Sequence, residues 1–188
     1  VDLTGRTVIP GLVGLHEHLF YPNPGDTELY KVHRFSFPRL YLAGGVTTAR
    51  TGGTFEPLTD LAIKKDIDEG RAIGPKLLIT AGYMDGRPLS TPQMSEVSTP
   101  EQARRFVERW AAAGVHSIKA YRHIPKAALA EAVKAAHERG LTVTGHLCSV
   151  SFREAAELGI DNLEHGFVEA SDWVFGKQPD ECSLDQPH

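Results

Sequence analysis

Two histidines separated by one residue, His16 and His18, end an apolar run over residues 8–15. Side chains of an extended strand alternate between its faces, so both imidazoles point one way and Glu17 the other. Two neutral imidazoles one pleat apart suit a divalent metal ion, provided other strands bring donors to the same end of the sheet. Three residues answer that requirement. Lys119, His146 and His165 each stand at or near the end of a strand-like segment. A lone ammonium inside such a strand is costly to bury, so Lys119 is either paired, snorkelling to the rim, or neutral enough to react. Four histidines and one lysine on a shared rim predict a metal site.

The other histidines fail the placement test. His33 and His137 fall in predicted helices, His116 opens a strand at its wrong end, and His123 lies in a loop. The run His16-Glu17-His18-Leu19-Phe20 is not the helical zinc-protease motif, because Phe20 stands where that motif has its second histidine. Glu101, Glu108, Glu131 and Glu138 read as solvated helix faces.

The elements that would position these residues follow a regular alternation. The first strand is followed by a proline-bearing loop and a predicted helix over residues 28–43, stopped by Gly44-Gly45. A short β-branched strand over residues 46–50 precedes a helix over 58–69 and a third strand over 76–80. A long loop over residues 82–98 reads as a functional segment. Thr99, Pro100 and Gln102 together open a helix: an N-cap hydroxyl, a proline at the first helical position, and an amide three residues on. That helix runs to Ala113, and a fourth strand over 115–121 carries Lys119. An alanine-rich helix over 125–139, a strand over 141–147, a short helix over 151–158 and a strand over 160–165 complete the pattern. A further helical start over 171–175 leads into a polar, irregular tail. Strand–helix alternation every 25 to 35 residues implies a parallel sheet, whose chemistry sits at the C-terminal strand ends. Six βα units fit this length and eight do not.

Bulk properties exclude several function classes. The 188 residues are 41% hydrophobic and 23% charged, with a formal net charge of −4 and no Lys/Arg cluster. Nothing there favours nucleic acid or an anionic membrane as a partner, and no apolar run approaches the ~18 residues of a membrane span. Two cysteines, Cys148 and Cys182, are too few for a disulfide framework. The start Val1-Asp2-Leu3-Thr4 reads as a continuation rather than a natural beginning, so localisation stays open with the cytoplasm as default.

The residues 4–18, with Gly5, Val8, Pro10, Gly11, Leu12, His16 and His18, resemble the opening G-x-x-V-x-P-G-L-x-D-x-H-x-H of the amidohydrolase superfamily, Gly14 standing where aspartate is usual. Gly45-Val46-Thr47-Thr48-Ala49-Arg50 is similar to its second strand, with Thr51 where many members have aspartate. Ile118-Lys119 resembles the fourth-strand lysine that becomes carbamylated, and Gly145-His146 and Glu164-His165-Gly166 resemble the histidines of strands five and six. The likeness is to the imidazolonepropionase-like and prolidase-like group, over residues ~4–170.

That resemblance implies a (β/α)₈ barrel of TIM type, here about six units. Residues 1–7 would be a linker from a missing N-terminal β-sandwich, residues 8–170 a partial barrel, and residues 171–188 a tail. It implies two divalent metal ions, zinc before iron, manganese or cobalt, held by His16, His18, His146 and His165. A CO₂-derived carbamate on Lys119 would bridge them. A hydroxide between the ions would cleave an amide C–N bond of a small-molecule substrate, such as an aminoacyl or dipeptide amide, with Tyr121 as a substrate contact. Two other readings stand beside it: a mononuclear deaminase of the same superfamily, and a catalytically silent metal-binding fragment. The family's eighth-strand aspartate has no counterpart here, and neither Asp180 nor Asp185 is nominated for its role. An open sheet exposes two edges, which predicts cover by a second copy of the chain or by the tail.

Overall fold

The computed structural model describes residues 1–23 and 25–182. Strand β1 (Leu12–Glu17) leads into a hairpin of β2 (Phe20–Asn23) and β3 (Asp26–Val32), then helix α1 (Ser36–Ala43). Strand β4 (Val46–Thr51), helix α2 (Pro57–Asp68) and the strands β5 (Lys76–Leu78) and β6 (Thr80–Asp85) follow. After the short β7 (Ser95–Glu96) come α3 (Pro100–Ala113), β8 (Ser117–Ala120), α4 (Lys126–His137), β9 (Thr142–Gly145), α5 (Phe152–Glu157) and β10 (Asn162–Leu163). Two 3₁₀ turns, Gly166–Glu169 and Ser171–Trp173, end the regular structure.

The pairing order is β1–β4–β5 in one sheet and β10–β9–β8–β6–β7 in the other. β5 and β6 are successive pieces of one run interrupted at Ile79, so the six βα strands form an arc in sequence order. All pairs along that arc are parallel. The arc is an incomplete TIM-type barrel. Among the described residues β1 and β10 do not pair, and the barrel stays open.

The core is largest where α3 and α4 pack on β6, β8 and β9. Val107, Ile118, Leu129 and Val143 are fully enclosed there. Thr99 caps α3 as its spacing predicts, in a capping box with Gln102, and Gly114 ends the helix in the left-handed conformation. Ser151 and Glu154 form a second such box on α5.

Three expectations are corrected. Residues 26–32 are not the start of a helix but a strand, because the turn after Asn23 folds them back antiparallel onto β2, Phe20 opposite Val32. The helix starts only at Ser36, and His33 precedes it. The expected loop over 82–98 begins four residues later, since β6 runs on to Asp85 with every residue buried. Its buried Asp85 carboxylate organises the loop that follows, accepting the backbone N–H groups of Gly86, Ser90 and His123. The two cysteines are joined as a disulfide with Cα atoms 4.9 Å apart, which fastens the tail beside the end of β9. Proximity across 34 residues is a tertiary fact that counting cysteines does not supply. No described helix is long and apolar enough to cross a membrane.

Candidate metal centre

His16 and His18 lie at the C-terminal end of β1, and Tyr41 on α1 pins the strand there. Its hydroxyl accepts the His18 N–H at 3.2 Å and donates to the His18 carbonyl at 2.8 Å. Lys119 sits near the end of β8, His146 follows β9, and His165 follows β10. His165 is held at φ 63°, a region non-glycine residues seldom enter, at the point where the chain leaves the strand. The four imidazoles form a contiguous chain. Ring centroids lie 5.0 Å apart for His16–His18, 4.6 Å for His16–His165 and 4.4 Å for His146–His165.

Each orienting contact also sets which ring nitrogen keeps a lone pair. A carboxylate or a carbonyl only accepts, so the nitrogen facing it carries the hydrogen. His16 Nδ1 donates to Glu164 Oε2 at 2.6 Å, and His18 Nδ1 to the Gly53 carbonyl at 3.1 Å, leaving both Nε2 atoms as donors of electron pairs. His146 donates from Nε2 to Glu169 at 3.2 Å, leaving Nδ1. Carboxylate or carbonyl support of the second ring nitrogen is the usual environment of metal-binding histidines. Burial is the main reason His18, His146 and His165 favour the neutral form: it pushes His18 down to about 4 and His146 to about 3, helped by their cationic neighbours, and it lowers His165 as well.

Lys119 is 1% exposed, and its Nζ has no hydrogen-bond partner among the described residues. Burial brings its amine down to about 7; the Glu164 carboxylate opposes that shift and Arg50 adds to it. An uncharged amine is therefore accessible near neutrality. The glycines Gly52 and Gly53 make room for these groups. A Cβ on Gly52 would stand 2.7 Å from His16 Nε2, and one on Gly53 would meet Tyr83 at 2.8 Å and Lys119 Cγ at 3.0 Å.

Glu164 was not singled out by sequence reasoning, yet it is the hub. It takes His16, Arg50 Nη2 at 2.7 Å and the Thr144 hydroxyl, and is 5% exposed. Burial alone would raise its pKa, but the His16 and Thr144 hydrogen bonds and the Lys119 and Arg50 charges outweigh it and hold the carboxyl well below its usual value. No local signal marks it: Glu164 immediately precedes His165, but its partners His16, Arg50 and Thr144 lie far away in the sequence.

His16, His18, Lys119, His146 and His165 line one cavity of about 220 Å³, together with aromatic residues that include Tyr121, whose ring lies 4.7 Å from that of His146. All five predicted metal-site residues and Tyr121 therefore share one space. Among the described residues no group of three or more His, Cys, Asp or Glu side chains is placed so that it could hold a metal ion. The donor types nevertheless suit a divalent ion: the oriented rings of His16, His18 and His146 line the same cavity as a buried amine that has no hydrogen-bond partner among the described residues. His116 and His137 lie away from this cavity, and His123 packs at the loop beside Asp85. Asp180 accepts the Lys126 N–H on the tail, and Asp185 lies outside the described residues.

Comparison with known proteins agrees with the fold. A candidate prolidase from Bifidobacterium longum is 26% identical, with a TM-score of 0.64 over 84% of this chain and 40% of its own. An amidohydrolase structure gives a TM-score of 0.69 at 19% identity, covering 88% of this chain and 50% of its own. Bottromycin amidohydrolase gives 0.56 at 24% identity, covering 73% and 28%. The chain thus spans half or less of the length of each of these structures. No curated protein matches it significantly in sequence. The amidohydrolase family matches residues 7–172, and the chain belongs to that family.

Proposed function

We propose that this chain carries the metal centre of a hydrolase that cleaves an amide C–N bond in a small substrate, using two divalent ions, zinc by preference. The observation that supports this reading is the buried Lys119 amine, without a hydrogen-bond partner among the described residues, in one cavity with four imidazoles, of which His16, His18 and His146 are oriented by Glu164, Gly53 and Glu169. His16 and His18 would hold one ion and His146 and His165 the other. The neutral Lys119 amine adds to carbon dioxide, forming an N–C bond and releasing a proton to solvent. The resulting carbamate has two oxygens and a negative charge, enough to span two ions and offset their charge. When bound, the ions supply Lewis-acid polarisation of the scissile carbonyl and activation of water. Glu164 keeps His16 in the productive tautomer, and Tyr121, beside His146, contacts the substrate.

Metal content per chain, after purification with bicarbonate and without chelator, tests the reading. Close to two ions per chain is expected, with Lys119→Ala losing at least one. Retention of two ions in Lys119→Ala would remove the bridging role, and one ion in the unmodified chain would favour a mononuclear centre. No bound metal in the unmodified chain would sink the proposal.

A further inference from the structure

Beside the histidines the cavity lining is aromatic, Phe20 lying 4.6 Å from the His18 ring and Tyr121 4.7 Å from the His146 ring. Phe20, Tyr30, Phe55, Tyr83 and Tyr121 line the cavity together with Met94. Their rings form a continuous surface: Tyr30 stacks on Phe55 at 4.5 Å and 15°, Phe55 meets Phe20 at 4.7 Å and Tyr83 at 4.8 Å, and Tyr83 meets Tyr121 edge-on at 5.1 Å. The rings come from four separate stretches of chain: the β2–β3 hairpin, the segment after β4, β6, and the segment after β8.

That surface is held in place by an unusual brace. The Gln93 carboxamide imitates a neighbouring strand: its Oε1 accepts the Tyr30 N–H at 2.6 Å and its Nε2 donates to the Tyr30 carbonyl at 3.1 Å. Gln93 itself does not line this cavity. It ties the hairpin that carries Tyr30 to the loop that carries Met94.

The lining charges are as informative. Among the described residues no carboxylate or guanidinium faces this cavity; Lys119 and the histidines are its only ionisable groups besides the tyrosines. A cationic substrate group would meet no anion there and would be repelled by bound metal ions. An anionic group would find no arginine fork. At about 220 Å³ the space is below the ~300–1,000 Å³ of sites for drug-sized ligands, so it suits one residue-sized group.

We infer that the wall of Phe20, Tyr30, Phe55 and Met94 selects a neutral apolar side chain, aromatic before aliphatic, on the substrate of the hydrolase proposed above. The inference rests on that reading for its functional meaning, but its test does not. Binding of N-acetyl amides of phenylalanine, leucine, glutamate and lysine to the chain is measured by NMR titration, in chelator, so metal is not required. The phenylalanine amide is expected to bind at least ~10-fold more tightly than the glutamate and lysine amides, the scale at which an apolar pocket discriminates. Tyr30→Leu and Phe55→Leu should each cut that preference severalfold, and Gln93→Ala should do so without touching the lining. Folding of each variant is checked by the unchanged NMR signals of the α3–α4 core. Equal binding of the four amides, no binding of the phenylalanine amide, or a preference that survives all three substitutions would overturn the inference. Absence of metal from the purified chain would sink the hydrolase reading and leave this result standing.

Discussion

Leu129 on α4 and Leu15 on β1 are the same side chain in opposite circumstances: the first is fully buried, the second 66% exposed. The contrast extends to their surroundings. Around Leu129, the α3–α4 layer and strands β6, β8 and β9 enclose a continuous core. Around Leu15, the residues Val8, Ile9, Leu12 and Val13 are all more than half exposed, since among the described residues β1 has a partner on one side only. The candidate metal centre draws on both regions. Lys119 and His146 come from the packed half, His16 and His18 from the open edge. Apolar burial therefore fixes only part of the site, and the remainder depends on a polar tie. Glu164, at the end of β10, reaches back to His16 on β1 and Arg50 on β4 while holding Thr144 on β9.

Breaking that tie should have the largest effect. Glu164→Ala leaves the Arg50 guanidinium, 15% exposed, without its carboxylate. Removing one partner of such a pair costs about 3–5 kcal/mol, to be measured as the shift in urea unfolding. Hydrogen exchange in the same variant should rise in β1 and β4 well before it rises in α4. A uniform rise would mean the two regions are not separable. Leu129→Ala probes the packed half directly. The cavity it opens should cost about 2–5 kcal/mol while leaving the imidazole rim intact, read as unchanged metal binding per folded chain.

Much of this arrangement was visible in the residue order. The apolar run into His16 and His18, the capping box at Thr99, and the glycine stops gave strands and helices from local rules alone. Strand ends then placed His146, His165 and Lys119 on one rim, because a parallel sheet aligns all its C-terminal ends. What local rules missed is long-range. Residues 26–32 became a strand through pairing with β2, against a sequence that also reads as helix. Glu164 acts through partners 20, 114 and 148 residues away, so no window around it contains its role. The Gln93 brace joins positions 63 apart, and the Cys148–Cys182 link joins two cysteines 34 apart.

Asp60 sharpens the comparison from the opposite direction, because burial there destabilises. It lies in the first turn of α2 with no exposure. Burial, with Glu56 nearby, pushes its carboxyl up to about 7 from 3.8, although the Thr54 hydroxyl works against the shift. The unfolded chain therefore ionises first, and the folded chain keeps its proton longer. Stability from this group is present below the unfolded value and is lost as pH rises from about 4 to 7. A gap of that size corresponds to at most about 4 kcal/mol. Asp60→Asn should flatten the dependence and make the chain more stable than the unmodified one at pH 8 but not at pH 4. Identical slopes for the two proteins, in urea midpoints across that range, would contradict burial as the cause.

The smallest expected effect belongs to the residue that opened the comparison. Leu15→Lys places a charge on an edge strand whose side chain is already in water, so little apolar surface is given up. Its stability should stay within about 0.5 kcal/mol of the unmodified chain, against several for Leu129→Ala. The two changes differ in a second observable. An edge strand that pairs only with β4 among the described residues and exposes its own Leu12 and Val13 is a template for association, and a lysine there blocks edge pairing by charge and solvation. Concentration-dependent self-association, followed by light scattering, should fall in Leu15→Lys at unchanged unfolding midpoint. A large loss of stability would instead show that β1 is covered in solution by a second copy, and that the open edge and the packed half are held by the same kind of contact.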